Sequence, residues 1–119
     1  MTAKTSALIM GVGPEQGLGA ALCKRFAREG IQIFVCGRTT DKVEHIAELI
    51  NSTGGQAVPI TANVTDEADI NAMIDRVRAS NLPLELAIYN TGNNRPDPFL
   101  DVTPEIFESM WRVLCMGGF

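Results

Sequence analysis

Residues 7–19 read Ala-Leu-Ile-Met-Gly-Val-Gly-Pro-Glu-Gln-Gly-Leu-Gly, and four of them, Gly11, Gly13, Gly17 and Gly19, are the residues of this chain best suited to chemistry. Glycine lets a backbone turn sharply and approach a ligand with no Cβ in the way. The apolar run Ala7–Met10 precedes these glycines, and a helical pattern starts near Leu18. Strand, glycine-rich turn and helix form an arrangement that holds the pyrophosphate of a dinucleotide. The free N–H groups and positive dipole end of the helix favour the negative charge. The same glycines also suit a turn that merely packs tightly.

Other residues with chemical potential follow the later apolar runs. Gly37-Arg38 comes after the second run, where dinucleotide folds that take NAD usually place an acidic residue against the ribose 2′-hydroxyl. An arginine there suits a 2′-phosphate through a charge-assisted contact, which favours NADP over NAD; otherwise it is a solvated surface arginine. Glu15 argues the other way, since a carboxylate within the phosphate loop repels the cofactor unless it points outward. Asn63, after the third run, either hydrogen-bonds an adenine edge or shapes the turn, and Val64 can pack on the ring face. Asn90-Thr91-Gly92, after the fourth, offers an amide and exposed backbone that either tie neighbouring strands together or line a ribose site. His45, among Glu44 and Glu48, reads as an exposed helix residue. Tyr89 is the sole tyrosine and has no lysine four residues on to lower its pKa for acid chemistry. No Ser-His-Asp set, metal-ligand cluster or phosphate-binding Gly-Lys-Ser appears, so no residue is assigned a catalytic or metal-binding role.

The elements that must position these residues alternate. A strand at Ala7–Met10 leads to a helix at about Gly17–Glu29, whose Leu18, Leu22 and Phe26 form a stripe expected to face a sheet. Strand Ile31–Cys36 is near-continuously apolar, as in a parallel sheet covered on both faces. A helix at Asp41–Ser52, capped by Thr40 or Asp41, carries Val43, Ile46 and Ile50 on one side. Strand Gln56–Thr61 tolerates Pro59 only at a sheet edge. A helix at Asp66–Ser80 is expected to bury Ile70, Met73, Ile74 and Val77, and strand Leu84–Tyr89 follows. The last helix starts at Thr103-Pro104-Glu105, with apolar Phe107, Met110, Trp111 and Leu114. This β-α-β-α-β-α-β-α order predicts an α/β, doubly wound parallel sheet of order 3-2-1-4. Ligands bind such sheets beyond the carboxyl ends of the strands, where loops 11–17, 37–40, 62–65 and 90–96 meet.

With 119 residues, 45% hydrophobic and 20% charged, the chain suits one globular domain. Its net charge of −4 argues against a nucleic-acid or anionic-membrane surface. No apolar run approaches the roughly 18 residues of a membrane span. The N-terminus leads directly into the first strand, leaving no room for a signal peptide. Cys23, Cys36 and Cys115 are odd in number, widely spaced and set in apolar patterns. They read as buried free thiols in a reducing compartment, the cytosol.

Taken together, these stretches resemble the N-terminal part of a short-chain dehydrogenase/reductase with an NAD(P)-binding, Rossmann-like fold. The matching residues are Ala7 to Pro14, Gly17-Leu18-Gly19, Cys36-Gly37-Arg38, Asn63-Val64-Thr65, Asn90-Thr91-Gly92 and Val113 to Phe119, so the resemblance spans nearly the whole chain. Gly13, Gly17 and Gly19 fall on the family's Gly-x-x-x-Gly-x-Gly pattern, or Gly11 takes the first glycine's place and the loop is two residues longer. By the same resemblance Arg38 is the basic position linked to NADP preference. Asn90 and Gly92 match Asn-Asn-Ala-Gly after the fourth strand. The implied cofactor contacts are Gly11, Gly13, Gly17, Leu18, Gly19, Arg38, Asn63, Val64, Asn90 and Gly92.

There are departures. Asn63 stands where the family usually has Asp, Tyr89 where it has Asn, and Leu114 where many members place an asparagine that supports a proton relay. The family's serine and Tyr-x-x-x-Lys have no counterpart within residues 1–119. The resemblance therefore implies an incomplete domain, truncated before the catalytic half of an NADP-dependent oxidoreductase of small molecules. It also implies homo-oligomerisation through the last helix. A non-catalytic NAD(P)-binding sensor or scaffold is the alternative. A methyltransferase on a similar sheet ranks third, since that chemistry wants an acidic residue where Gly37-Arg38 stands.

Overall fold

A computed structural model describes residues 2–93 and 95–119. Strands β1 (Ser6–Met10), β2 (Gln32–Gly37), β3 (Ala57–Thr61) and β4 (Leu84–Tyr89) alternate with helices α1 (Leu18–Ala27), α2 (Thr40–Ser52), α3 (Glu67–Ala79) and α4 (Pro104–Trp111). A short 3-10 turn (Phe99–Asp101) precedes α4, and a π-helical turn (Arg112–Met116) extends it. All strand pairs are parallel, in the order β3-β2-β1-β4, which gives a Rossmann-like α/β fold. Pro59 pairs with Val35 on edge strand β3, where its missing N–H costs the ladder nothing.

The near-continuous apolar character of β1 and β2 follows from cover on both faces. Ala7, Ile9, Ile33 and Val35 pack with residues of α1 and α2, whereas Leu8, Phe34 and Cys36 pack with Ile60 and with Met73 and Val77 of α3. Ile70 and Ile74 are only partly buried at the margin of that second cluster. The stripe expected on α1 is corrected. Leu18 is 65% exposed, and the residues facing the sheet are Gly19, Ala20, Cys23 and Ala27, flanked by the half-buried Leu22 and Phe26. Small residues win this face because α1 lies against the loop after β1. A Cβ on Gly19 would fall 2.5 Å from the Gly11 carbonyl oxygen.

Helix starts divide into two kinds. Asp66 caps α3 by accepting from Ala68 N at 2.9 Å, and Thr103 caps α4 by accepting from Ile106 N at 3.2 Å. Neither Gly17 at the start of α1 nor Thr39 at the start of α2 supplies a side-chain cap, so the expected capping by Thr40 or Asp41 is not realised. Cys23 and Cys36 are buried free thiols, but Cys115 is exposed, against expectation, since in the π turn it is Val113 that is buried.

Candidate functional site

The carboxyl ends of the strands converge on a cleft of about 210 Å³. Gly11, Val12, Gly13 and Pro14 line it from the loop after β1, and Cys36, Gly37, Arg38, Thr39 and Lys42 from β2 and the start of α2. Ala62 and Val64 contribute from the loop after β3, and Thr91 and Gly92 from the loop after β4. The four loops expected to meet do meet. The cleft is smaller than a typical enclosed ligand pocket, so a dinucleotide would lie across it rather than inside it. A larger hollow of about 580 Å³ runs between α1 and α2 past Lys24, Arg28, Leu49 and Thr53, and of these four loops it touches only the first, at Glu15.

Gly11 fixes the sharp turn. Its φ is +90°, and a Cβ there would meet Asn90 and Thr91 backbone atoms at 2.5–2.6 Å. The N–H groups of Gly11 and Val12 both donate to the Cys36 carbonyl, at 3.0 and 2.9 Å, tying the end of β1 to the end of β2. Asn90 completes the junction on the other side, its Nδ2 donating to the Gly11 carbonyl at 3.2 Å and its N–H to the Met10 carbonyl at 2.9 Å. The Asn90 side chain thus ties this junction, one of the two roles open to it.

A Cβ added at Gly13 would have nothing within 4 Å, so the backbone there is open to the cleft. Gly17 N–H donates to the Pro14 carbonyl at 2.9 Å, closing the turn that delivers the chain to α1. Gly17, Leu18 and Gly19 form the helix start behind the cleft and do not line it. No side chain caps α1 and no acidic residue occupies its first turn, which leaves its positive end available to an anion.

Arg38 is exposed and makes no ion pair among the described residues. Lys42, in the first turn of α2, also lines the cleft, although in the sequence it is one more charged residue on a helix surface. No local pattern marks it in advance, since Arg38 stands before α2 and the two share no helix face. Gly37 is held to glycine by the site itself, since a Cβ there would collide with the Val12 carbonyl.

Asn63 and Val64 separate. Val64 lines the cleft, but Asn63 does not. The Asn63 carboxamide oxygen accepts from Thr65 N at 3.0 Å and Thr65 Oγ1 at 2.7 Å, and its backbone N–H donates to Asp69 Oδ2 at 2.9 Å. Its oxygen is thereby spent on shaping the turn before α3. Glu15 does point away from the cleft: its carboxylate reaches Lys24 Nζ at 3.3 Å and His45 Nε2 at 3.1 Å. These partners, the His45 hydrogen bond first, hold its pKa below the ordinary value.

Tyr89 donates its hydroxyl to the Val113 carbonyl, and burial pushes its pKa up. Among the described residues no His, Cys, Asp and Glu group could hold a metal ion, and no helix is long and apolar enough to cross a membrane.

The sequence profile of the family described as short chain dehydrogenase matches residues 6–119. A mouse (Mus musculus) protein named dehydrogenase/reductase SDR family member 11 is 29% identical over 108 residues, which are 89% of this chain and 42% of that protein. Glucose 1-dehydrogenase of Gluconobacter oxydans is 30% identical over 110 residues, 92% of this chain and 41% of the enzyme. A 3-ketoacyl-ACP reductase structure from Sinorhizobium meliloti 1021 superposes with a TM-score of 0.88 at 30% identity, covering 96% of this chain and 44% of that one. A 3-ketoacyl-(acyl-carrier-protein) reductase from Brucella melitensis, complexed with NADH, gives a TM-score of 0.86 at 27% identity, covering 98% of this chain and 46% of that one. The chain spans less than half the length of these relatives. With that profile running from β1 through the π turn, the chain belongs to the short-chain dehydrogenase family.

Proposed function

We propose that this chain is the cofactor-binding half of an NADP-dependent short-chain oxidoreductase acting on small molecules. The observation that carries the choice of NADP is Arg38: exposed, without an ion pair among the described residues, beside Lys42, at the end of β2 where an NAD site would present a carboxylate. Two cations there suit a 2′-phosphate. The Brucella relative was complexed with NADH, so the preference rests on these side chains and not on the likeness.

In this reading the loop from Gly11 to Gly19 and the uncapped start of α1 take the pyrophosphate. Ala62 and Val64 give the adenine an apolar wall, and Asn63 has only its Nδ2 left for the base edge. Gly92 borders the nicotinamide ribose, with Asn90 holding the junction behind it. The bound cofactor would supply or accept a hydride, interconverting carbonyl and alcohol or reducing an activated double bond. No residue of this chain is assigned the proton-transfer step. The whole protein would be cytoplasmic, in keeping with its free buried thiols, and would pair with a second copy through the exposed Phe107 and Trp111 of α4.

A non-catalytic dinucleotide-binding module is the second reading, favoured by the commitment of the sole tyrosine to Val113 and by Leu114 in the family's asparagine position. Reading the coding frame past the Phe119 codon, with an intact mass of the native protein, separates the two. A frame continuing into a serine and Tyr-x-x-x-Lys supports the enzyme. A stop codon there, with a native mass near 12.9 kDa, supports the module.

A further inference from the structure

The Tyr89 hydroxyl, at the last position of β4, reaches a carbonyl that a regular α-helix would not leave available. In an α-helix the Gly117 N–H would bond to Val113. Here the turn is widened, Gly117 N–H donates to the Arg112 carbonyl at 2.9 Å, and the Val113 carbonyl accepts from Tyr89 instead. Gly117 has no room for a side chain: a Cβ would run into the Tyr89 hydroxyl and lie 2.8 Å from the Val64 carbonyl oxygen. Leu114, beside Val113, places its Cδ2 3.5 Å from where a Cβ on Gly92 would stand. Val64 and Gly92 both line the cleft, so one phenol joins two of its walls through the π turn.

Position along the cleft gives this post its meaning. Arg38 and Lys42 lie beyond β2 and Gly92 beyond β4, with β1 between them. Two strand spacings separate those ends by roughly 10 Å. A dinucleotide anchored by its 2′-phosphate at Arg38 therefore extends its nicotinamide half toward Gly92 and Leu114. We propose that Tyr89 is a positioning residue for that half of the cofactor, its hydroxyl holding the π turn so that Leu114 meets Gly92 and Gly117 meets Val64. This inference rests on the dinucleotide reading above.

The test compares two probes on the native protein and its Tyr89→Phe variant: NADPH, and adenosine 2′,5′-bisphosphate, which keeps the 2′-phosphate and adenine but lacks nicotinamide. Loss of one hydrogen bond should weaken NADPH by about fivefold and leave the bisphosphate within about twofold. A purely structural role would move both probes together or neither, and either result overturns the proposal. Should Tyr89→Phe fail to fold, Leu114→Ala at a half-exposed position must show the same split, and its absence overturns the proposal equally. If the unmutated protein binds neither probe, the dinucleotide reading itself falls and takes this inference with it. If it binds both and no split appears, only the positioning role falls.

Discussion

Glu15, in the loop between β1 and α1, carries its carboxylate 3.3 Å from the ammonium of Lys24, nine residues along the chain on α1. With His45 of α2 on its other oxygen at 3.1 Å, the one acidic residue of the glycine-rich loop is turned onto the helices and away from the cleft. The repulsion that its position implies is thus removed by geometry. Glu15→Gln should leave NADPH affinity within about twofold, measured by titration at fixed ionic strength. A large gain in affinity would place the carboxylate against the phosphates after all. Because the pKa of Glu15 is lowered in the folded protein, what stability its contacts give is present above the ordinary value of 4.5 and lost as pH falls through the folded one.

Gly19 packs α1 against the turn, and the sheet-facing side of that helix has no room for one more carbon. In Gly19→Ala the new Cβ would stand 2.5 Å from the Gly11 carbonyl oxygen and 2.9 Å from Val12 Cα. Both are backbone atoms held by hydrogen bonds to Cys36 and Asn90, so relief requires moving the loop itself. Chemical denaturation should show a loss of about 1–3 kcal/mol, accompanied by loss of cofactor binding. Gly13→Ala, whose Cβ meets nothing, should fold normally, and any weakening of NADPH binding there reports contact with the ligand.

Lys42 shares the cleft with Arg38 and faces no partner of its own in an ion pair among the described residues. Lys42→Ala should weaken NADPH by roughly threefold to tenfold while NADH changes little, the scale of one charge-assisted contact at a partly exposed site. Equal effects on both cofactors would assign Lys42 to the pyrophosphate or to folding.

The three cysteines should divide two against one. Burial pushes the Cys23 thiol up to about 12 and Cys36 to about 11, whereas Cys115 is exposed. A thiol reagent at roughly pH 8 should modify one cysteine in the native chain and all three after denaturation, read by mass spectrometry. The folded state keeps the two buried protons that the unfolded chain loses above the ordinary value of 9.0, so stability should fall as pH rises from there toward about 11.

The sheet order is legible in the sequence because each apolar run is closed by glycine, asparagine or proline and followed by a helical repeat. β4 matches its expected limits, Leu84–Tyr89, and the other strands fall within a residue or so. The face of α1 is not legible, since hydrophobic spacing points to Leu18 while the contact needs the small Gly19, Ala20 and Cys23. The partners of Glu15 stand nine and 30 residues away, a tertiary fact that no local pattern carries. The π turn is hidden for a related reason, because a carbonyl on Val113 meets the side chain of Tyr89 only once the sheet is assembled. Arg38 is legible because its place after β2 is set by the fold, and Lys42 is not because its reach into the cleft depends on how α2 starts.

Calorimetric titration of the native protein with NADPH and then NADH decides whether the end of β2 reads a 2′-phosphate. A charge-assisted contact from Arg38 predicts NADPH binding tighter by about tenfold or more, a preference that Arg38→Ala removes. Equal affinities for the two cofactors in the unmutated protein, or a preference untouched by Arg38→Ala, would contradict that assignment.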